Sequence, residues 1–259
     1  MQTIYKRAGL LLLAALWSGS SAWAQTPDAD DEPYKTITTF GVTSNTNSGV
    51  LGGFAFRQER LLAGTLWGRP QYRYLSVEIV NVKHPKELQS NNGYGSRYIE
   101  GKENFLFVLR PQYGRAIRLF DRTADEGIAV SAILAAGPSL GIIKPYYLTV
   151  QSANRTRTVP ASQVNGLTTP QGESVTGGGG LFTGIGESTL TVGAHVKAAM
   201  SFELSAFRNN TTGVEIGFLT EIFPQKIVII PNYGPGNRSD GNRSFFTSGY
   251  VTLFFGSKK

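Results

Sequence analysis

The sequence predicts an all-β fold: a closed antiparallel up-and-down transmembrane β-barrel, most simply of eight strands. Three observations predict it. The chain begins with an export signal, its later segments alternate apolar and polar residues with period two over unusual lengths, and its connections run alternately short and long.

The first 24 residues have the three parts of a secretory signal. Lys6 and Arg7 form the charged start, Leu10 to Leu16 the apolar stretch, and Ala22-Trp23-Ala24 a small-x-small cleavage site. The apolar run is shorter than the roughly 20 residues a spanning helix needs. Residues 25–34 are polar and acidic and read as a flexible periplasmic leader. Residues 35–259 then form the barrel domain. The most apolar later segment, 128–143, carries Gly137-Pro138, and proline inside a helix removes a hydrogen bond and clashes with the preceding turn. An exported chain without a helical span is either soluble or a barrel, since a barrel is the other structure that satisfies its backbone in lipid.

Composition limits the alternatives. Charged residues make up 17% of the chain, against about 25% in an ordinary soluble domain. A soluble β-sandwich can share this composition, so pattern has to decide. The absence of cysteine removes disulfides, thiolate metal sites and a lipid anchor on an N-terminal cysteine. The formal charge is +7. Apart from the signal and the acidic leader, the body carries about +9, which suits anionic sugars and phosphates of an outer leaflet. No clustered Lys/Arg helix argues for nucleic acid.

The clearest strand is Leu190–Leu204. Leu190, Val192, Ala194, Val196, Ala198, Met200, Phe202 and Leu204 share one face, and His195, Lys197, Ser201 and Glu203 share the other. Fifteen residues of period two exceed most sandwich strands. The same rule pairs Leu75, Val77 and Ile79 against Tyr74, Ser76 and Glu78. It sets Phe105, Phe107 and Leu109 against Arg110, and Val214, Ile216 and Phe218 against Glu215 and Glu221. Strands are expected near 35–43, 49–60, 71–83, 103–120, 128–149, 189–203, 211–223 and 244–255. Pro111 and Pro138 fall inside the fourth and fifth, so each of these is either bulged or a hairpin, and ten strands is the alternative.

The connections near 61–70, 121–127 and 204–210 are short. Those near 84–102, 150–188 and 224–243 are long, and 44–48 is the exception. Outer-membrane barrels sort loop length in this way, with short periplasmic turns and longer external loops. The last strand, Phe245-Phe246-Thr247-Ser248-Gly249-Tyr250-Val251-Thr252-Leu253-Phe254-Phe255, resembles the aromatic closing strand of outer-membrane barrels that the insertion machinery reads. Gly256 to Lys259 follow it, as in some small barrel families. With the signal, the chain resembles small outer-membrane β-barrel proteins, a group that includes accessory barrels of type IX secretion. The resemblance implies outer-membrane localisation and contact with the barrel-insertion machinery.

On this register Glu78, Arg110, His195, Lys197, Glu203, Glu215 and Glu221 face the lumen. An eight-strand interior is just wide enough for side chains to fill, and buried charges need partners. The expectation is a paired charge network rather than an open channel. Outer-membrane lipid deacylases are similar in size and place a Ser beside a His near the last strands. Here Lys197 stands two residues after His195, and Ser201 lies about 20 Å along the strand. His84 precedes Pro85 at a strand end and reads as a loop start. Two isolated histidines without cysteine give no metal-ligand spacing, and no cofactor is expected. The run Gly177–Gly180 lacks the Lys-Ser/Thr of a phosphate loop. Residues 150–188 read as one long mobile external loop, with Arg155 and Arg157 as contacts for lipopolysaccharide or an envelope protein.

Three functions follow as expectations. The first is a structural or interaction barrel, an accessory of a larger envelope assembly surrounded by outer-membrane lipid and lipopolysaccharide. The second is a narrow porin-like barrel for small solutes. The third is a lipid hydrolase, which ranks lowest.

Overall fold

The structure is a computed structural model that describes residues 34–84, 87–90, 97–121, 128–153, 155–164, 173–204, 209–231 and 242–259. The signal segment and residues 25–33 of the leader lie outside the described residues. The described chain forms β1 (Thr36–Asn45), β2 (Gly49–Leu66), β3 (Arg69–Val82), β4 (Gln89–Ser90), β5 (Tyr98–Ile99), β6 (Asn104–Phe120) and β7 (Ala129–Pro145). There follow β8 (Tyr147–Ser152), β9 (Arg155–Pro160), β10 (Ser174–Gly178), β11 (Thr189–Glu203), β12 (Asn210–Ile227) and β13 (Arg243–Lys258).

Eight of these strands close a ring in the order β1-β13-β12-β11-β7-β6-β3-β2. Each pairs antiparallel with its neighbours in sequence along the ring, so the barrel is an up-and-down meander. The first and last strands seal it, with Phe40 opposite Phe255. The residues after the aromatic closing strand are no tail: Gly256, Ser257 and Lys258 continue the ladder against Thr39, Thr38 and Ile37. The rim that holds Thr36 and Lys259 is called here the terminal rim. The long connections, 83–103, 146–188 and 228–242, all arise at the opposite, far rim, together with the short turn at 46–48.

Period-two sequence becomes a two-sided wall because successive side chains in a strand point to opposite faces. Phe40, Phe54, Ile79, Leu134, Val196, Ile216, Phe218, Leu253 and Phe255 are exposed on the outside. So large an apolar exterior would be an aggregation hazard in water. In a bilayer it is the surface that a closed sheet presents, since ring closure leaves no strand edge unpaired. Inside, near the far rim, Val80, Val82, Leu106, Val108, Phe223, Ile227 and Ile229 form a buried apolar plug.

The structure adjusts several sequence expectations. β2 runs to Leu66 and β3 starts at Arg69, so the expected ten-residue connection shrinks to Trp67-Gly68. Both turn residues have positive φ, 53° and 74°, as a two-residue hairpin turn matched to strand twist requires. Neither β6 nor β7 is a hairpin. Their ladder holds Leu109 opposite Leu140 and Tyr113 opposite Ala136. That register carries Pro111 opposite Pro138, and two residues without N–H interrupt the pairing there. The fifth expected strand ends at Pro145 rather than near 149, because Tyr146 breaks it and the chain continues as β8 in a second sheet.

The segment expected as one mobile loop contains that second sheet, of order β10-β8-β9. Tyr146, Leu148, Val150, Ala161 and Val164 give it a core, against which Tyr98, Ile99 and Val175 pack. The glycine run belongs to this cap. A side chain on Gly179 would meet Tyr147 Cβ at 2.8 Å, and Gly184, with φ 75°, lies against the Tyr147 ring. Close packing on an aromatic accounts for Gly179 and Gly184.

A closed ladder of this kind resists detergent until it is heated. The purified protein is expected to change mobility on a detergent gel when boiled. Equal mobility before and after boiling, with the unheated protein soluble without detergent, would exclude a membrane barrel.

Candidate functional site: the charge network of the lumen

Alternation sends the odd-numbered charged residues of β2 and β11–β12 and the even-numbered ones of β3 and β6 inward. Glu78, Arg110, His195, Lys197, Glu203, Glu215 and Glu221 are all buried within the barrel. They do not form one cluster but three.

The central cluster is built on Lys197. Its ammonium lies 2.6 Å from Glu78 and 2.7 Å from Glu215 and donates to the Tyr74 hydroxyl at 3.1 Å. Glu215 also meets Arg57 at 2.8 Å and accepts from the Tyr250 hydroxyl at 2.6 Å. Arg57 in turn lies 3.4 Å from Glu59, and its guanidinium stacks 4.1 Å from the Phe254 ring centre. Charge-assisted bonds of this length are the strong class.

The second cluster lies beside it. Arg110 forks onto Glu221 with contacts of 2.9 and 2.8 Å. The Ser139 hydroxyl donates to the same carboxylate at 2.5 Å and lies 2.9 Å from His195 Nδ1. This corrects the expectation that His195 has no serine nearby: Ser139 comes from β7, opposite Gly193 in the register. The inward face of β7 keeps step through Gly137-Pro138, but besides the serines Ser131 and Ser139 it carries small or apolar residues such as Ala129, Ile133, Ala135 and Gly141, so it gave no polar alternation to follow. The order of the three groups differs from a hydrolytic triad, in which the imidazole stands between serine and carboxylate. Here the serine stands in the middle, its proton held by a carboxylate that Arg110 already neutralises. Ser139 and Glu221 are both 0% exposed, and neither lines a described cavity.

The third cluster sits toward the terminal rim. Glu203 meets Arg118 at 3.1 Å, accepts from Thr211 at 2.7 Å and pairs with Lys258. Lys258 belongs to the segment after the aromatic closing strand, so that segment contributes to the interior as well as to the ladder.

Three of the pairs run across the lumen, while Arg57–Glu59 lies along one strand and Lys197–Glu215 joins neighbouring strands. Glu78 stands beside Arg110 in the ladder, yet it binds Lys197 of β11, while Arg110 binds Glu221 of β12. In the ring order β3 and β11, β6 and β12, and β2 and β12 are each three strands apart. These three ion pairs are therefore chords that tie facing walls. Among the described residues a cavity of about 10 Å³, bordered by Arg57, Tyr74, Glu78, Lys197 and Glu215, has room for about one water. Sequence reasoning missed Arg57, Glu59 and Arg118, which obey the same alternation in strands whose polar face was not followed.

Outside the barrel, Arg155 and Arg157 lie on β9 and are both exposed. Arg157 forks onto Glu173 at 2.9 and 2.8 Å, so part of its charge is already satisfied. At the base of the cap Lys102 meets Glu87 at 2.7 Å. Burial pushes the Lys102 ammonium below its ordinary pKa, an effect the Glu87 contact opposes. The described residues contain no group of three or more His, Asp or Glu side chains able to hold a metal.

No family model matches the sequence, and no curated protein matches it. Among solved structures, the attachment invasion locus protein Ail of Yersinia pestis aligns over 88% of this chain and 100% of its own, at 7% identity and a TM-score of 0.40. Ail in complex with the heparin analogue sucrose octasulfate aligns over the same shares at 8% identity and a TM-score of 0.36. Neisserial surface protein A aligns over 86% of this chain and 96% of its own, at 9% identity and a TM-score of 0.35. At these values the role of the chain has to be read from its own residues.

Breaking one chord should be far worse than removing it. Glu221→Gln strands the Arg110 charge inside the barrel, at a cost of about 3–5 kcal/mol. Replacing both, Arg110→Met with Glu221→Leu, should recover most of that loss. Urea unfolding of both variants in lipid vesicles measures the difference, and equal destabilisation would show that the pair is not the unit of stability.

Proposed function

We propose that the chain is an integral outer-membrane barrel whose interior is structural and whose folded cap is the working surface, engaging an envelope partner or lipopolysaccharide at the cell exterior. The observation that carries this reading is an interior filled by paired charges and an apolar cluster, beneath a folded cap. Charges of both signs are paired across the lumen, and the apolar plug closes it toward the far rim. A filled interior of this kind favours scaffolding over conduction. On the cap, Arg155 and Arg157 offer basic contacts suited to anionic sugars and phosphates. Export through the signal at residues 1–24 fits this location, with the terminal rim in the periplasm and the cap outside.

A second reading, lipid hydrolysis, is favoured by the contact between Ser139 and His195. The burial of both groups and the engagement of the serine proton by Glu221 count against it.

Purified barrel in planar bilayers should give no stepwise conductance. Discrete openings that change with Lys197→Ala would replace the proposal with a transport role. The mature protein should begin at Gln25, which N-terminal sequencing of membrane-extracted material checks; an intact Met1 would sink the signal reading. Turnover of a phospholipid substrate that is lost in His195→Ala would favour the hydrolase.

A further inference from the structure

Three arginines stand side by side on the outside of the barrel. Arg60 of β2 is the register partner of Arg73 of β3, and Arg73 is the partner of Arg115 of β6. Their chain neighbours Glu59, Tyr72, Tyr74 and Ala116 are buried in the lumen, so the arginines point outward. Arg60 and Arg115 are exposed and Arg73 is half-buried. Directly opposed side chains lie roughly 5 Å apart at Cβ, where like charges destabilise a sheet. Among the described residues no acidic side chain forms an ion pair with any of the three. Arg73 Nε is buried without a hydrogen-bond partner. A row of three like charges on one wall calls for an anion from outside the chain.

The level of the row is fixed by the register. Arg60 lies opposite Thr36, whose N–H bonds to the Lys259 carbonyl, so the row belongs to the terminal rim. Two residues further along the strands, about 7 Å, an apolar groove of about 430 Å³ opens on the same wall. Phe56, Leu75, Val77, Pro111, Tyr113 and Pro138 line it. The opposed prolines open the β6–β7 ladder here.

We propose that this wall is a binding site for one membrane phospholipid, its phosphodiester on Arg60, Arg73 and Arg115 and an acyl chain in the proline groove. Guanidinium forks match phosphate oxygens. A headgroup at the rim with its chain toward the barrel's middle is also the orientation a leaflet imposes. A free phosphate would satisfy the arginines but not the groove, whose lining continues the apolar exterior. The inference rests on the barrel being inserted in a membrane, which the boiled-gel assay tests separately.

The test is native mass spectrometry of the detergent-purified full chain with dioleoylphosphatidylglycerol. Wild type should retain one lipid. The triple variant Arg60→Gln/Arg73→Gln/Arg115→Gln should retain it about tenfold less or weaker still. Ala136→Trp, which fills the groove without touching an arginine, should lose it similarly. Each variant is accepted only if it keeps heat-modified mobility, and Arg73→Gln alone serves if the triple variant fails to fold, with a smaller loss expected. Equal retention in wild type and arginine variants would overturn the site. So would displacement of the lipid by an equal concentration of inorganic phosphate, or full retention in Ala136→Trp, since either would leave an ion site without a lipid.

Discussion

Pairing of buried charges across a closed sheet is the constraint on which the rest of this molecule depends. Taking ten or more charged side chains out of water is costly unless each meets an opposite charge and further hydrogen bonds. The barrel meets that condition with chords. Lys197 to Glu78, Arg57 to Glu215 and Arg110 to Glu221 each join strands three places apart in the ring. A chord of fixed length limits both how far the walls can separate and how they can slide. A one-residue slip of any strand would turn its charges to the outside and the apolar residues in, so register and charge pairing enforce each other.

The same constraint explains the division of labour along the barrel. Where the lumen is charged, hydrogen bonds from Tyr74, Tyr250, Ser139 and Thr211 complete the carboxylates and the ammonium. Where it is apolar, nothing polar needs a partner and the plug packs directly. The parts free to meet other molecules are thus the cap at one end and the outer wall at the other. On that wall two prolines face each other at the β6–β7 seam and the backbone ladder is interrupted.

Much of the fold was legible from residue order. Period two in 190–204 divides that strand between Val196 outside and Lys197 inside. Alternating connection lengths put the long segments at one rim. Where legibility failed, the cause was local backbone chemistry. Gly64 and the Trp67-Gly68 turn extended a hairpin that reads as a loop. Tyr146 ended β7 early. The Gly-rich stretch that reads as mobile is packed on Tyr147, because a glycine lets an aromatic ring approach the backbone, and composition cannot distinguish that use from flexibility.

The sequence alone determined which residues face in and which face out, because strand geometry has a strict period that needs no knowledge of neighbours. It also showed that the last strand is rich in aromatics, and it left eight or ten strands open, which the continuous β6 and β7 settled at eight. Only the tertiary structure decided which inward charge meets which, that Ser139 stands beside His195, and that Arg60, Arg73 and Arg115 form one row. Those facts depend on register and ring closure between strands far apart in the chain, and a periodic pattern carries no information about the offset between one strand and another.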